Sequence, residues 1–126
     1  MSRASLDALT DRLAEGETVV VRVDADFKTL QSEGRAVFIA RWSPTHGRSK
    51  WGNPSELRLK AAQHPDWDEA TVRQVVHDEY RQWLLTQPDL LADIEELRGR
   101  ALGCYCAPKP CHGDVLVELL NGTIRP

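Results

Sequence analysis

Ala101-Leu-Gly-Cys-Tyr-Cys-Ala-Pro-Lys-Pro-Cys-His-Gly-Asp-Val-Leu-Val-Glu-Leu-Leu120 is the stretch on which the fold turns. Ala101 to Cys106 is short and apolar, the pattern of a buried strand. Ala107-Pro-Lys-Pro110 reads as a tight connection, since its prolines cannot continue a ladder or a helix. Cys111 to Leu120 reads as a helix closed by Asn121-Gly122. A strand that passes through a short connection into a helix is the building unit of α/β domains.

Two more strands are predicted upstream. Thr18-Val-Val-Val-Arg-Val23 is β-branched. Arg35-Ala-Val-Phe-Ile-Ala40 is largely apolar, which predicts a central place in a sheet. Ser5 to Ala14 is predicted to be a helix, with Ser5 as cap and Leu6, Leu9 and Leu13 on one face. Asp24 to Gly34 is polar and gives no assignment, and Arg41 to Pro54 reads as a loop. Ser55 to Gln63 is a helix that stops before Pro65. Asp66 or Asp68 caps a longer helix, with Val72, Val76, Tyr80, Trp83 and Leu84 on its apolar face. Pro88 opens another, with Leu90, Leu91, Ile94 and Leu97 inward. The expected architecture is one α/β domain over residues 1–126. Its sheet is mainly parallel and Rossmann-like, with three or more strands flanked by helices, and residues 1–34 form a helix–strand extension. Ligands of such sheets bind beyond the carboxyl ends of strands, near helix N-termini.

A chain of 126 residues, 41% hydrophobic and 28% charged, suits one globular domain. No run approaches the roughly 18 apolar residues of a membrane span. The opening Met1-Ser-Arg-Ala-Ser-Leu-Asp7 lacks the apolar core of a signal peptide, so a cytoplasmic protein without a membrane partner is expected. Cys104, Cys106 and Cys111 are three cysteines crowded into one segment, which argues against a disulfide framework.

Net charge is -3, which disfavours general nucleic-acid affinity. Gly34 to Ser55 holds no acid, but it holds Arg35, Arg41, Arg48 and Lys50. Arg98 to Gly113 again holds no acid, but Arg98, Arg100 and Lys109. The other nine of the sixteen Lys and Arg share the chain with all nineteen acids. An acidic body with two basic segments suggests a local anion site in preference to a broad basic face.

The first basic segment contains Ser49-Lys-Trp-Gly-Asn-Pro54. Lys50 and Arg48 can hold phosphate. Trp51 can stack on a base, or it can anchor the core. Asn53 can read a heterocycle edge or fix the loop, and Ser49 adds a hydroxyl. The second segment places Cys111 and His112 at a helix start, where free N–H groups favour anions and lower a thiol pKa. Cys111 is therefore a candidate nucleophile, His112 a partner, and Asp114 a carboxylate at the site or a helix cap. Cys106 is a candidate ligand contact. Cys104 is expected to be buried and inert, and Cys111 to be the most reactive thiol. Cys104, Cys106, Cys111 and His112 are also the donors of a Cys₃His zinc site, although their spacing departs from the usual pairs. His46 and His64 are expected in solvent, and His77 in a structural role.

These motifs, together with Tyr80-Arg-Gln-Trp-Leu84 and Leu97-Arg-Gly99, resemble those of the domain of unknown function family DUF4326 over about residues 37–120. Its members occur in bacteria and their viruses, and the family brings no settled activity. The resemblance implies that Ser49–Pro54 and Cys104–Asp114 belong to one site. Trp42 to Arg48 departs from the family pattern as an insertion. The expected function is binding or processing of a nucleotide-like anionic small molecule, by glycosidic-bond or group-transfer chemistry if the chain is an enzyme. The alternative is a non-enzymatic zinc-binding module that contacts nucleic acid or protein.

Overall fold

The computed structural model describes residues 3–107 and 109–124, with side chains from residue 6 onward. The expected Ser5 cap and Pro108 lie outside the described groups. Helix α1 (Arg3–Ala14) leads into strand β1 (Val19–Arg22). Helix α2 (Ala25–Ser32) follows, where the sequence offered no assignment. Asp24 caps α2 by accepting from Phe27 N–H at 2.9 Å, and Phe27 and Leu30 are its buried pair. Strand β2 (Ala36–Phe38) comes next. The expected loop after it contains a small hairpin, β3 (Trp42–Ser43) and β4 (Gly47–Arg48). Helix α3 (Leu57–Gln63) precedes α4 (Glu69–Leu84), which Asp68 caps by accepting from Thr71 N–H at 2.8 Å. Helix α5 (Pro88–Asp93) runs into a 3-10 turn (Ile94–Leu97), then β5 (Ala101–Cys104) and α6 (His112–Leu120).

The main sheet is parallel throughout, in the order β1-β5-β2. Its centre is therefore β5, and the expectation of a central Arg35–Ala40 strand is corrected. That strand is apolar because both its faces are covered. Ala36 and Phe38 pack with Leu9, Leu13, Phe27 and Leu30 of α1 and α2. Val37 and Ile39 pack with Leu84, Leu102 and Leu116 on the other side. Strand β5 alternates in the same way. Ala101 faces α1 and α2, while Leu102 and Cys104 face the α4–α6 layer.

This three-stranded parallel sheet between helices bears out the α/β expectation. No helix among the described residues is long and apolar enough to cross a membrane.

Candidate functional site

Strand β5 ends at Cys104, and Cys111 caps the start of α6 a few residues later. The intervening turn lies beyond the carboxyl end of the sheet, beside the segment that leaves β2. Between them opens a cavity of about 740 Å³. Ala40, Arg41 and Trp42 form one wall; Cys104, Tyr105 and Cys106 form another. Arg73, Val76 and His77 of α4 close it on a third side, with Cys111 and His112 at its base. Asn53 and Ser55 to Arg58 complete it. Among the described residues of this lining, three arginines stand against one carboxylate, Glu56, which pairs with Arg41. Trp42 and Tyr105 are exposed there, at 56% and 47%.

The helix start is built by its own side chains. Cys111 is the N-cap, and the Asp114 carboxylate accepts from Cys111 N–H at 3.0 Å. Asp114 thus serves as a cap and does not line the cavity. Gly113 seats the first turn of α6 on the sheet. A Cβ at this position would stand 2.9 Å from Ile39 and 3.0 Å from Val20. That closeness brings the His112 ring within reach of β2, and His112 Nε2 lies 2.6 Å from the Ile39 carbonyl oxygen. A carbonyl only accepts, so Nε2 carries the hydrogen and Nδ1 of the neutral ring keeps its lone pair. Burial lowers the His112 pKa, which favours that neutral form.

Two thiols stand together beside His112. Cys104 and Cys111 sulfurs are 3.2 Å apart, and both residues are buried. The neighbouring Cys111 sulfur, with the backbone N–H groups of Ala107 and Cys106, lowers the Cys104 pKa against the opposing effect of burial. The neighbouring Cys104 sulfur, then burial, raises the Cys111 pKa.

The zinc reading requires four donors pointed at one centre. His112 Nε2 donates to Ile39, which leaves Nδ1 as its free donor atom. Among the described residues, no group of three or more His, Cys, Asp or Glu side chains is gathered for a metal. The described side chains of Cys104, Cys106, Cys111 and His112 are not gathered around one centre as the four donors of a zinc site.

The other motif divides. Asn53 reaches the cavity edge, but its amide fixes the loop: Nδ2 donates to Val76 O at 3.4 Å, and Oδ1 accepts from Ser55 N–H at 2.9 Å. Trp51 is only 1% exposed, so it offers no open face. It packs in the same core cluster as Cys104, Ala107 and Cys111, and through this contact the two motifs adjoin. Its carbonyl accepts from the buried Tyr80 hydroxyl at 2.7 Å. Gly52 allows the same close packing, since a Cβ there would lie 2.6 Å from Arg41 Cα. Ser49 Oγ accepts from Trp51 N–H at 3.2 Å. Lys50 pairs with Asp93 at 2.8 Å and Glu96 at 2.9 Å, and these carboxylates raise its pKa. Arg48, Ser49, Lys50 and Trp51 line a separate shallow hollow of about 320 Å³ and not the cavity that holds Cys111.

Sequence reasoning missed Trp42, Arg58, Arg73, His77 and Tyr105. Arg73 and His77 were accessible to it in part, since each follows an apolar-face residue, Val72 or Val76, on α4. Trp83 is only partly buried against the core, and Trp51 follows its core-anchor reading and is enclosed. His46, expected in solvent, is half-buried and stacks on Phe38 at 4.5 Å between ring centres.

A family model, "Domain of unknown function (DUF4326)", matches residues 23–122. The chain belongs to this family. DUF4326 here takes in β5, the cavity and both motifs, and its match extends beyond the region marked by the motifs. An uncharacterised 12.4 kDa protein from the nrdA–td intergenic region of Enterobacteria phage T4 is 57% identical over 30 residues. Those residues are 24% of this chain and 28% of the phage protein. No solved structure matches the chain.

Proposed function

We propose that this DUF4326 protein binds an anionic, nucleotide-like small molecule in the cavity between the end of β5 and the loop after β2. The observation that carries the reading is the combination of charge and exposed aromatic surface in one concave place. Arg41, Arg58 and Arg73 share its lining with Trp42 and Tyr105. A volume of about 740 Å³ falls within the usual range for small-molecule sites, roughly 300–1,000 Å³. Guanidinium groups suit phosphate or carboxylate oxygens, and the aromatic faces suit a base. The N-terminus of α6 adds a positive dipole end.

If the bound molecule is also processed, His112 is the group best placed to accept a proton, through Nδ1. Glycosidic chemistry also requires a carboxylate or thiolate near the sugar carbon. Glu56, Cys104 and Cys111 line the cavity and are the candidates, because Asp114 is committed to the cap. Calorimetric titration with nucleoside monophosphates, nucleosides and inorganic phosphate tests the binding reading. Monophosphates should bind more tightly than either part alone, and Arg73→Gln should weaken them at least about tenfold, the loss of one charged hydrogen bond. Equal weak responses to all three, unchanged by Arg73→Gln, would remove the proposal.

A further inference from the structure

Cys104 and Cys111 end one element and begin the next, and their sulfurs face each other at 3.2 Å. A disulfide bond is about 2.05 Å long, so closure needs a movement of about one ångström. Both residues lie in the wall of the main cavity, which gives a small solute a route to thiols otherwise shut off from solvent. Cys106, between them in sequence, is only partly buried and does not share the contact. We propose that Cys104 and Cys111 form a reversible disulfide when a hydroperoxide enters the cavity.

The chemistry balances with that oxidant. The Cys104 sulfur attacks one peroxide oxygen, the O–O bond breaks, and Cys104 becomes a sulfenic acid as hydroxide or alkoxide leaves. The Cys111 sulfur then attacks the Cys104 sulfur. The S–O bond breaks, the S–S bond forms, and the Cys111 proton leaves with the departing oxygen as water. Two thiols lose two electrons and two protons in all, and the hydroperoxide is reduced to water and an alcohol, or to two waters for hydrogen peroxide. A dithiol reductant reverses the bond by exchange. The backbone N–H groups of Cys106 and Ala107 support Cys104 as the attacking sulfur, since they favour its thiolate. Adjacency of the second sulfur favours the disulfide over further oxidation of Cys104.

The test uses the folded, reduced wild-type chain. It is exposed to hydrogen peroxide, denatured in an alkylating agent, and mapped by mass spectrometry after cleavage at Tyr105, which separates Cys104 from the other two cysteines. The expected map shows Cys104 linked to Cys111, Cys106 carrying the alkyl group, and a mass loss of two hydrogens that a dithiol restores. Cys111→Ala should leave Cys104 as a sulfenic acid that a carbon nucleophile traps. If that variant fails to fold, the wild-type map still decides. A disulfide that includes Cys106, three alkylated cysteines after peroxide, or Cys104 sulfinic acid without a linkage would overturn the proposal.

Discussion

Trp51 and His112 show how a motif residue can serve the fold and the site differently. Trp51 sits in the core between α4 and the cysteine turn, tied by its carbonyl to the Tyr80 hydroxyl. Trp51→Ala should therefore destabilise the protein by about 3–5 kcal/mol, as for other fully buried aromatic residues. Denaturant unfolding checks this, and a loss below about 1 kcal/mol would return Trp51 to the surface. His112 makes stability depend on pH. In the unfolded chain it takes up a proton near pH 6.5, while burial in the folded chain lowers that pKa. The unfolded state thus binds more protons just below pH 6.5, so stability falls as pH drops through that value. Melting temperatures measured from about pH 7.5 down to about 5.5 should decline, and His112→Gln should flatten the decline. An equal slope in the variant would assign the pH dependence to other groups.

At the level of elements, the turn from β5 into α6 is the device that positions the chemistry. Asp114 holds the Cys111 N–H at its start. Asp114→Ala should cost about 0.5–2 kcal/mol through loss of this cap, with ligand affinity reduced only as α6 frays. Unchanged thermal stability, with ligand binding abolished, would make Asp114 a direct site residue instead. The β5 strand and α6 helix were legible in the sequence because an apolar run, two prolines and an apolar helix face follow one another without ambiguity. Helix α2 was not, since Phe27 and Leu30 are its only buried residues and the rest of the segment is polar. Strand order was not legible either. An apolar strand covered on both faces reads the same at the centre and at the edge of a sheet, and only the pairing of Ala36 and Val19 with Ala101 separates the two.

Across the whole molecule, the two basic segments serve different purposes. Lys50 is drawn to Asp93 and Glu96, residues far away in sequence, and so joins the loop to α5 and the 3-10 turn. No local pattern announces such a pairing, and for this reason the charge count pointed to Lys50 and passed over Arg58 and Arg73. Trp42 was hidden for a related reason, in a hairpin whose Ser, Pro and Gly content reads as loop. The adjacency of the two motifs was legible, but its basis is packing around Trp51 and not a shared ring of cations. Removal of metal should accordingly leave the fold unchanged. A strong chelator should shift the melting temperature by less than about 1 °C, whereas loss of a structural zinc would unfold the cysteine turn.

The proposed binding places a ligand in the cavity of Arg58, Arg73 and His112 and not in the Lys50–Trp51 hollow. Nuclear magnetic resonance of isotopically labelled protein, titrated with a nucleoside monophosphate, tests this most directly. Saturable shifts are expected at the Trp42 indole, Tyr105, Arg73, His77 and His112, with Arg48 and Lys50 unmoved. Shifts centred on Arg48 and Lys50, or no saturable shift at any residue, would contradict it.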